Sequence, residues 1–370
     1  MSHLRLNSNA STRDIYNIIA SGKRRKLNGR SPLQCLLDDF QKYNCFCTNL
    51  RNQNDELVHL FVAFPEQISM YKNHNIVLIA DCTYKTNRYK MPLLHFIGLS
   101  GVGKSFSIGF CFLQSEVKES YVWALTSFQN CFEKLPQVFV TDHENALINA
   151  AAYVFPQIPN LICIWHLNKN ILKNCRQYFS TVEEYNSFFE SWKTLTYSKT
   201  EYEFESCYQI FKNTWTNYPK AVSYLQNNLY PLRSKFVSAW TNQYRHLGST
   251  STSRCEGMHA QIKKYIVSSR ADLLQVFNAL KLAVEKQQSE IKLMISQQKI
   301  ANYFRFNQFF VRVKNKVSVH ALDMVLKQLQ LPSPLNSCTG SFTRVYGLPC
   351  AHTLEDIMSQ GNKLELENFF

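Results

Sequence analysis

Three acidic residues stand where metal-dependent phosphodiester chemistry would need them. Asp81 closes the apolar run IVLIAD, and Asp142 closes QVFVTD. Each carboxylate falls at the end of an expected buried strand. If those strands are neighbours, the two side chains converge at one edge of the sheet. Carboxylates held together repel and raise each other's pKa unless a divalent cation lies between them. Mg²⁺ or Mn²⁺ takes such oxygen ligands, and pairs of such ions support in-line displacement at phosphorus. The plainer reading is that Asp suits the turn that ends a strand. A third acid, Glu256, lies in STSRCEGMHAQIKKYI. Ser253 to Glu256 fits the S-x-x-E capping box, so the glutamate has a competing local role. Lys263, Lys264 and Arg270 follow it and are candidates for contact with backbone phosphates.

Cysteine and histidine supply a second set. Cys163-Ile-Trp-His166 lies at the end of a further strand-like run, NLICIW. In the tail, Cys350-Ala-His352 follows Gly347 and Pro349, with Cys338 upstream. Cys338, Cys350 and His352 are three ligand types that suit Zn²⁺, one short of a tetrahedral shell. Cys45 and Cys47 share a strand face and read as structural. The string from Gly98 to Ser105 satisfies G-x-x-x-x-G-K-[ST], yet a phosphate-binding loop needs a helix directly after Lys104-Ser105. The run FSIGFCFL that follows is strand-like, so a hairpin turn is expected instead.

The elements that must position these residues follow from periodicity. Residues 11–64 read as helix, basic turn, helix and a short strand at 59–64. Strand-like runs then cover 75–87, 90–101 and 104–115, joined by brief turns. Helical periodicity at 120–135 precedes the strand 137–142, a helix over 144–155 and the strand 160–165. The order is β-β-β-α-β-α-β, an antiparallel meander that changes to crossover helices. Residues 167–305 look almost wholly helical, with breaks near Pro219, Pro231 and Gly248 to Thr252. One more helix is expected over 317–330, and PSPLNS (332–337) reads as a linker.

With 370 residues, 45% of them hydrophobic and 14% aromatic, the chain is neither disordered nor low in complexity. No apolar run reaches membrane-span length. The opening MSHLRLNSNASTR lacks an apolar signal core, so twelve scattered cysteines are expected to be reduced thiols in an intracellular protein. The net charge is +14, and residues 261–335 hold 12 basic against 4 acidic residues. A basic helical block of this kind attracts a polyanion. Lys23 to Lys26 (KRRK) has the form of a nuclear import signal.

Four blocks together resemble the Mutator-like element (MULE) transposases: ADCTYKTNRYKMPLL, FVTDHENALINA, LICIWHLNKNI and TSTSRCEGMHAQIKKYI. GLPCAH looks like the end of a SWIM-type zinc motif, although Asn336 and Gly340 occupy the positions where its C-x-C pair would need a second cysteine. The resemblance implies an α+β, RNase H-like catalytic core with a mixed five-stranded sheet, a large all-helical insertion and a helical C-terminal region. It assigns the acidic triad to Asp81, Asp142 and Glu256 and a structural C-x-x-H element to Cys163 and His166. The expected regions are a lead-in (1–75), the core (76–170), the insertion (171–250), the glutamate helix with the basic block (251–331) and a partial zinc motif (332–370). The implied activity is nuclear DNA cleavage and strand transfer with Mg²⁺ or Mn²⁺, Zn²⁺ in the tail and a homo-oligomer on DNA. A domesticated or decayed DNA-binding regulator is the alternative.

Overall fold

The computed structural model describes residues 11, 21, 27–305, 308–331 and 338–369. The basic run at 23–26, the helix expected from Ser11 or Thr12 and the linker 332–337 therefore lie outside the described residues. Helix α1 (Pro32–Lys42) starts as its sequence dictates, with Ser31 accepting from the Gln34 N–H and proline in the first turn. Strands β1 (Phe46–Arg51) and β2 (Leu57–Ala63) follow, then α2 (Pro65–Asn73). The core sequence is β3 (Val77–Thr83), β4 (Leu93–Leu99), β5 (Ser105–Phe112), α3 (Lys118–Cys131), β6 (Val138–Thr141), α4 (Asn145–Val154) and β7 (Asn160–Ile162). The expected β-β-β-α-β-α-β order is present.

The sheet has seven strands rather than five, in the order β1-β2-β5-β4-β3-β6-β7. The two extra strands come from the lead-in segment: β2 pairs antiparallel with β5, and β1 with β2. β3 pairs antiparallel with β4 and parallel with β6, which itself runs parallel to β7. The sheet is mixed and covered on both faces, which is why its strands read as continuous apolar runs. Strand alternation sorts the side chains between two cores. Leu78, Ala80, Phe96 and Phe139 pack with Tyr121, Phe128 and Leu147 of α3 and α4. Val77, Ile79, Ile97 and Val140 face the opposite way.

The run expected to be a strand through residue 165 divides after Ile162. Helix α5 (Ile164–Cys175) begins there, so His166 lies in a first helical turn. An apolar run of this length has no periodicity to distinguish the two states. Helices α6 (Val182–Thr196), α7 (Glu201–Thr214), α8 (Pro219–Tyr224) and α9 (Ser238–Thr241) complete the insertion around an aromatic core that includes Phe188, Trp192, Phe211 and Trp215. Helix α10 (Ser253–Tyr265) and the long α11 (Leu273–Arg305) then return to the sheet face lined by Val77 and Phe110. Helix α12 (Val319–Leu329) shares a small core with the tail helices α13 (Ser341–Tyr346) and α14 (Ala351–Ser359). Among the described residues no helix is long and apolar enough to cross a membrane.

The glycine-rich string is a hairpin turn. Gly103 takes φ +77°, Ser100 Oγ donates to the Lys104 carbonyl at 2.8 Å, and β5 follows directly. No helix N-terminus is there to cradle a nucleotide phosphate.

Candidate active site

Asp81 lies on β3 at the register position one beyond the Ala80–Thr141 pair, and Asp142 is the first residue after β6. Parallel pairing of the two strands thus brings both carboxylates to one sheet edge. Strand alternation turns Asp81 to the face of Val77 and Ile79, the face on which α10 packs through Cys255 and Met258. Burial pushes the Asp81 carboxyl up to about 7, with the Asp142 charge adding to the push and His166 opposing it. Burial likewise raises Asp142 to about 6, helped by Glu144 and opposed by His166. Asp142 Oδ1 is buried and has no hydrogen-bond partner. Two crowded, desolvated carboxylates with an orphaned oxygen fit a divalent cation, which would supply the missing positive charge.

Glu256 stands one residue beyond the buried Cys255, whose thiol is pushed up by burial and by the charges of Asp81, Asp142 and Glu256. The capping box is not formed. Thr252 is the N-cap residue and its side chain makes no cap hydrogen bond, while Ser251 Oγ accepts from the Ser253 N–H at 3.1 Å. The Glu256 carboxylate is half exposed and lies 3.9 Å from Lys169 Nζ of α5. That ammonium also sits 3.3 Å above the Trp165 ring.

Cys163 and His166 tie α10 to the sheet. The Cys163 N–H donates to the Thr141 carbonyl at 2.8 Å, one residue before Asp142. Its sulfur accepts from the Thr252 N–H at 2.9 Å and from the Thr252 hydroxyl at 3.2 Å. The same hydroxyl lies 3.0 Å from His166 Nδ1. The pair is a clamp that fixes where the glutamate helix starts relative to Asp142. Thr252→Val keeps the volume but removes the hydroxyl. A loss of about 1–2 kcal/mol is expected, read from the denaturant midpoint, and an unchanged midpoint would refute the clamp.

Two histidines are also part of the site, unannounced by the sequence. His259 of α10 places Nδ1 4.0 Å from Asp81 Oδ2, and burial followed by the Lys263 charge lowers its pKa to about 4. His95, on β4, is paired opposite Asp81, is fully buried, stacks on Phe110, and lies 5.5 Å from the His259 ring at a 31° tilt. His259 follows Glu256 by three residues, a spacing that could have marked it. His95 emerges only from the strand register. Lys263 and Lys264 occupy the exposed last turn of α10, and Arg270 the exposed loop after it.

Residues 77–170, from β3 to the middle of α5, match the family model of the MULE transposase domain. This stretch is similar to the MULE transposase domain. Across the whole chain, the PKS-NRPS hybrid synthetase cheA of Chaetomium globosum is 26% identical over 96% of the chain and 9% of its own length. Protein FAR1-RELATED SEQUENCE 5 of Arabidopsis thaliana is 25% identical over 75% of the chain and 35% of its length. Protein FAR-RED IMPAIRED RESPONSE 1 of the same plant is 23% identical over 58% of the chain and 26% of its length. The chain thus spans about a third or less of these curated relatives. The matched stretch contains Asp81, Asp142, Cys163 and His166, while Glu256 and the basic block lie beyond it.

In the tail, Cys338, Cys350 and His352 hold their ligand atoms within 4.8 Å of one another. Among the described residues this is the one group of three or more His, Cys, Asp and Glu side chains drawn together tightly enough for a single ion; the acidic triad does not close to that extent. His352 Nε2 is buried without a partner, and the two sulfurs lie 3.6 Å apart. Burial alone would raise the Cys350 thiol, but hydrogen bonds from Thr353, His352 and Cys338 bring it down to about 6. A low-pKa thiol beside a second thiol and an imidazole is a donor set that fits Zn²⁺.

Proposed function

We propose that this chain is the catalytic portion of a DDE-type DNA transposase that cuts and joins transposon ends by metal-dependent phosphodiester chemistry. The observation that carries this reading is the convergence of Asp81 and Asp142, buried and raised in pKa, at one sheet edge of a MULE transposase domain. The order β5-β4-β3-β6-β7, antiparallel and then parallel, supports an RNase H-like core.

Asp81 and Asp142 would hold Mg²⁺ or Mn²⁺, and Glu256 completes the acidic set. The bound ions would activate the attacking oxygen and stabilise the leaving one. Asp142 offers its unpartnered Oδ1. The clamp of Cys163, Thr252 and His166 fixes the glutamate helix against the aspartate edge. His259, held neutral, keeps a positive charge away from the Asp81 carboxylate. Lys169 lies beside Glu256, where it would meet a backbone phosphate entering the site. The deciding experiment is Mn²⁺-dependent nicking of a supercoiled plasmid carrying the cognate ends. Absence of nicking by a folded, DNA-binding protein would favour a second reading, a domesticated regulator in which Glu256 stays paired with Lys169. Either reading places the protein on DNA in the nucleus.

The exposed Lys263 and Lys264 serve backbone contact in this reading. Replacing both by alanine is expected to weaken DNA binding alike for all sequences and to reduce the salt slope by about 2. Titration of a labelled duplex at several salt concentrations measures both, and an unchanged slope would mark these lysines as solvated surface.

A further inference from the structure

Along the flank of α10, away from Lys169, lies a polar recess of about 380 Å³. Its walls are Lys104 and Ser105 at the entry to β5, Arg254 and Gln261 on α10, and Gln287 and Glu290 on α11. Arg254, Gly257, Met258 and Gln261 are spaced at i, i+3, i+4 and i+7, so they form one face of the helix. A Cβ placed on Gly257 would meet nothing within 4 Å, which leaves that wall open.

The donors of this recess exceed its acceptors. The Arg254 guanidinium reaches only the Gly103 carbonyl at 3.4 Å and the Ser105 hydroxyl at 3.5 Å, both at the limit of a hydrogen bond. Among the described residues no carboxylate lies within 4.0 Å of Arg254 or of Lys104. Burial lowers the Arg254 pKa, and Tyr346 opposes the shift. Gln287 is only 8% exposed; its Oε1 accepts the Ser107 N–H at 3.1 Å, and its Nε2 has no acceptor. The one acid on the wall, Glu290, lies 3.9 Å from Lys286.

A guanidinium fork, an ammonium, a hydroxyl and an unpartnered buried amide N–H converging on one space call for a compact oxyanion with several acceptors. The hairpin excludes the helix-capped nucleotide site that the string GVGKS mimics. Lys104 and Gln261 at the rim are exposed, so a phosphate that is part of a longer chain can enter from the side. Arg254 also precedes Glu256 by only two residues. We propose that this recess grips a phosphodiester of the DNA backbone, anchoring the strand beside the acidic site. The inference rests on the reading of DNA as substrate but not on catalysis.

The test measures anisotropy of a labelled duplex with the full chain in EDTA, across a range of salt. Arg254→Ala is expected to weaken binding about tenfold and to lower the salt slope by about 1, equally for unrelated sequences. Lys104→Ala and Gln261→Glu change only exposed residues, so they preserve the fold. The first should lower the slope similarly, and the second, by adding a repelling carboxylate, should weaken binding further. Inorganic phosphate should show no saturable heat of binding. Wild-type affinity and slope in all three variants, with duplex binding intact, would overturn the site alone. Saturable phosphate binding lost in Arg254→Ala, with DNA affinity unchanged, would assign the recess to a free anion and overturn it too. Failure of the wild-type protein to bind duplex would remove both this site and the substrate reading.

Discussion

Replacing Asp81 by asparagine is expected to abolish strand cleavage while making the metal-free protein more stable at alkaline pH. The two effects share one cause. In the folded chain the Asp81 carboxyl ionises near 7, against an ordinary 3.8, because burial and then the Asp142 charge disfavour its anion. Below about pH 4 the group is protonated in both folded and unfolded chains, and burial imposes no ionic penalty. Between about 4 and 7 the unfolded chain releases its proton first, so stability falls as pH rises. Above 7 the full penalty applies, on the order of a few kcal/mol. Asparagine never ionises, so its advantage should be absent at pH 4 and greatest at pH 8. Mn²⁺ should reverse the order by stabilising the wild-type chain and not the variant. Cleavage should fall by about a thousandfold or more, since several kcal/mol of transition-state stabilisation are at stake. Thermal melts at pH 4 and 8, with and without Mn²⁺, and a plasmid-nicking assay measure each part. A variant that is less stable than wild type at pH 8, or that nicks normally, would remove Asp81 from the site. Asp142→Asn should behave likewise with its transition near 6.

That site was legible in the sequence to the extent that it depends on strand ends. The runs IVLIAD and QVFVTD announce buried strands, and a parallel β3–β6 pairing brings their final aspartates together. What could not be read is whatever depends on pairing across long separations. FCTNLR carries no clear alternation, and β1 and β2 join the sheet only because β2 finds β5 some fifty residues on. His95 belongs to the site because the β3–β4 register sets it opposite Asp81, and no local pattern encodes a register. Thr252 is hidden for a different reason. The S-x-x-E string points to Ser253, whereas the Thr252 hydroxyl is used between elements, on Cys163 and His166, rather than within its own helix.

In the tail, one zinc per chain is expected, lost on Cys350→Ser. Cys350 caps α14, with its sulfur 3.4 Å from the Thr353 hydroxyl and 3.6 Å from Cys338 Sγ, so its thiolate is stabilised before any ion arrives. Cys338, by contrast, is raised by burial and must release a proton on binding. Zinc affinity should therefore fall steadily as pH drops from 8 to 6, with protons released on binding. The segment does not depend on the ion alone: Leu348, Leu354 and Leu364 are buried against Val319, Leu322 and Val325. Chelation should accordingly loosen the start of α14 without unfolding the α12 core. Gly340 stands where the zinc pattern would place a further cysteine. It adopts φ +66°, and a Cβ there would lie 2.9 Å from Arg344 Nη1. A cysteine at that position would cost about 1–2 kcal/mol in backbone strain and would displace the arginine that bonds the Thr339 carbonyl. Gly340→Cys should thus fail to tighten the site despite adding a thiol. Metal analysis of purified wild type, Cys350→Ser and Gly340→Cys, together with zinc titration at pH 6 and 8, settles the assignment. A metal-free wild-type chain with a normal melt, or zinc retained by Cys350→Ser, would leave the three side chains as a thiol cluster and nothing more.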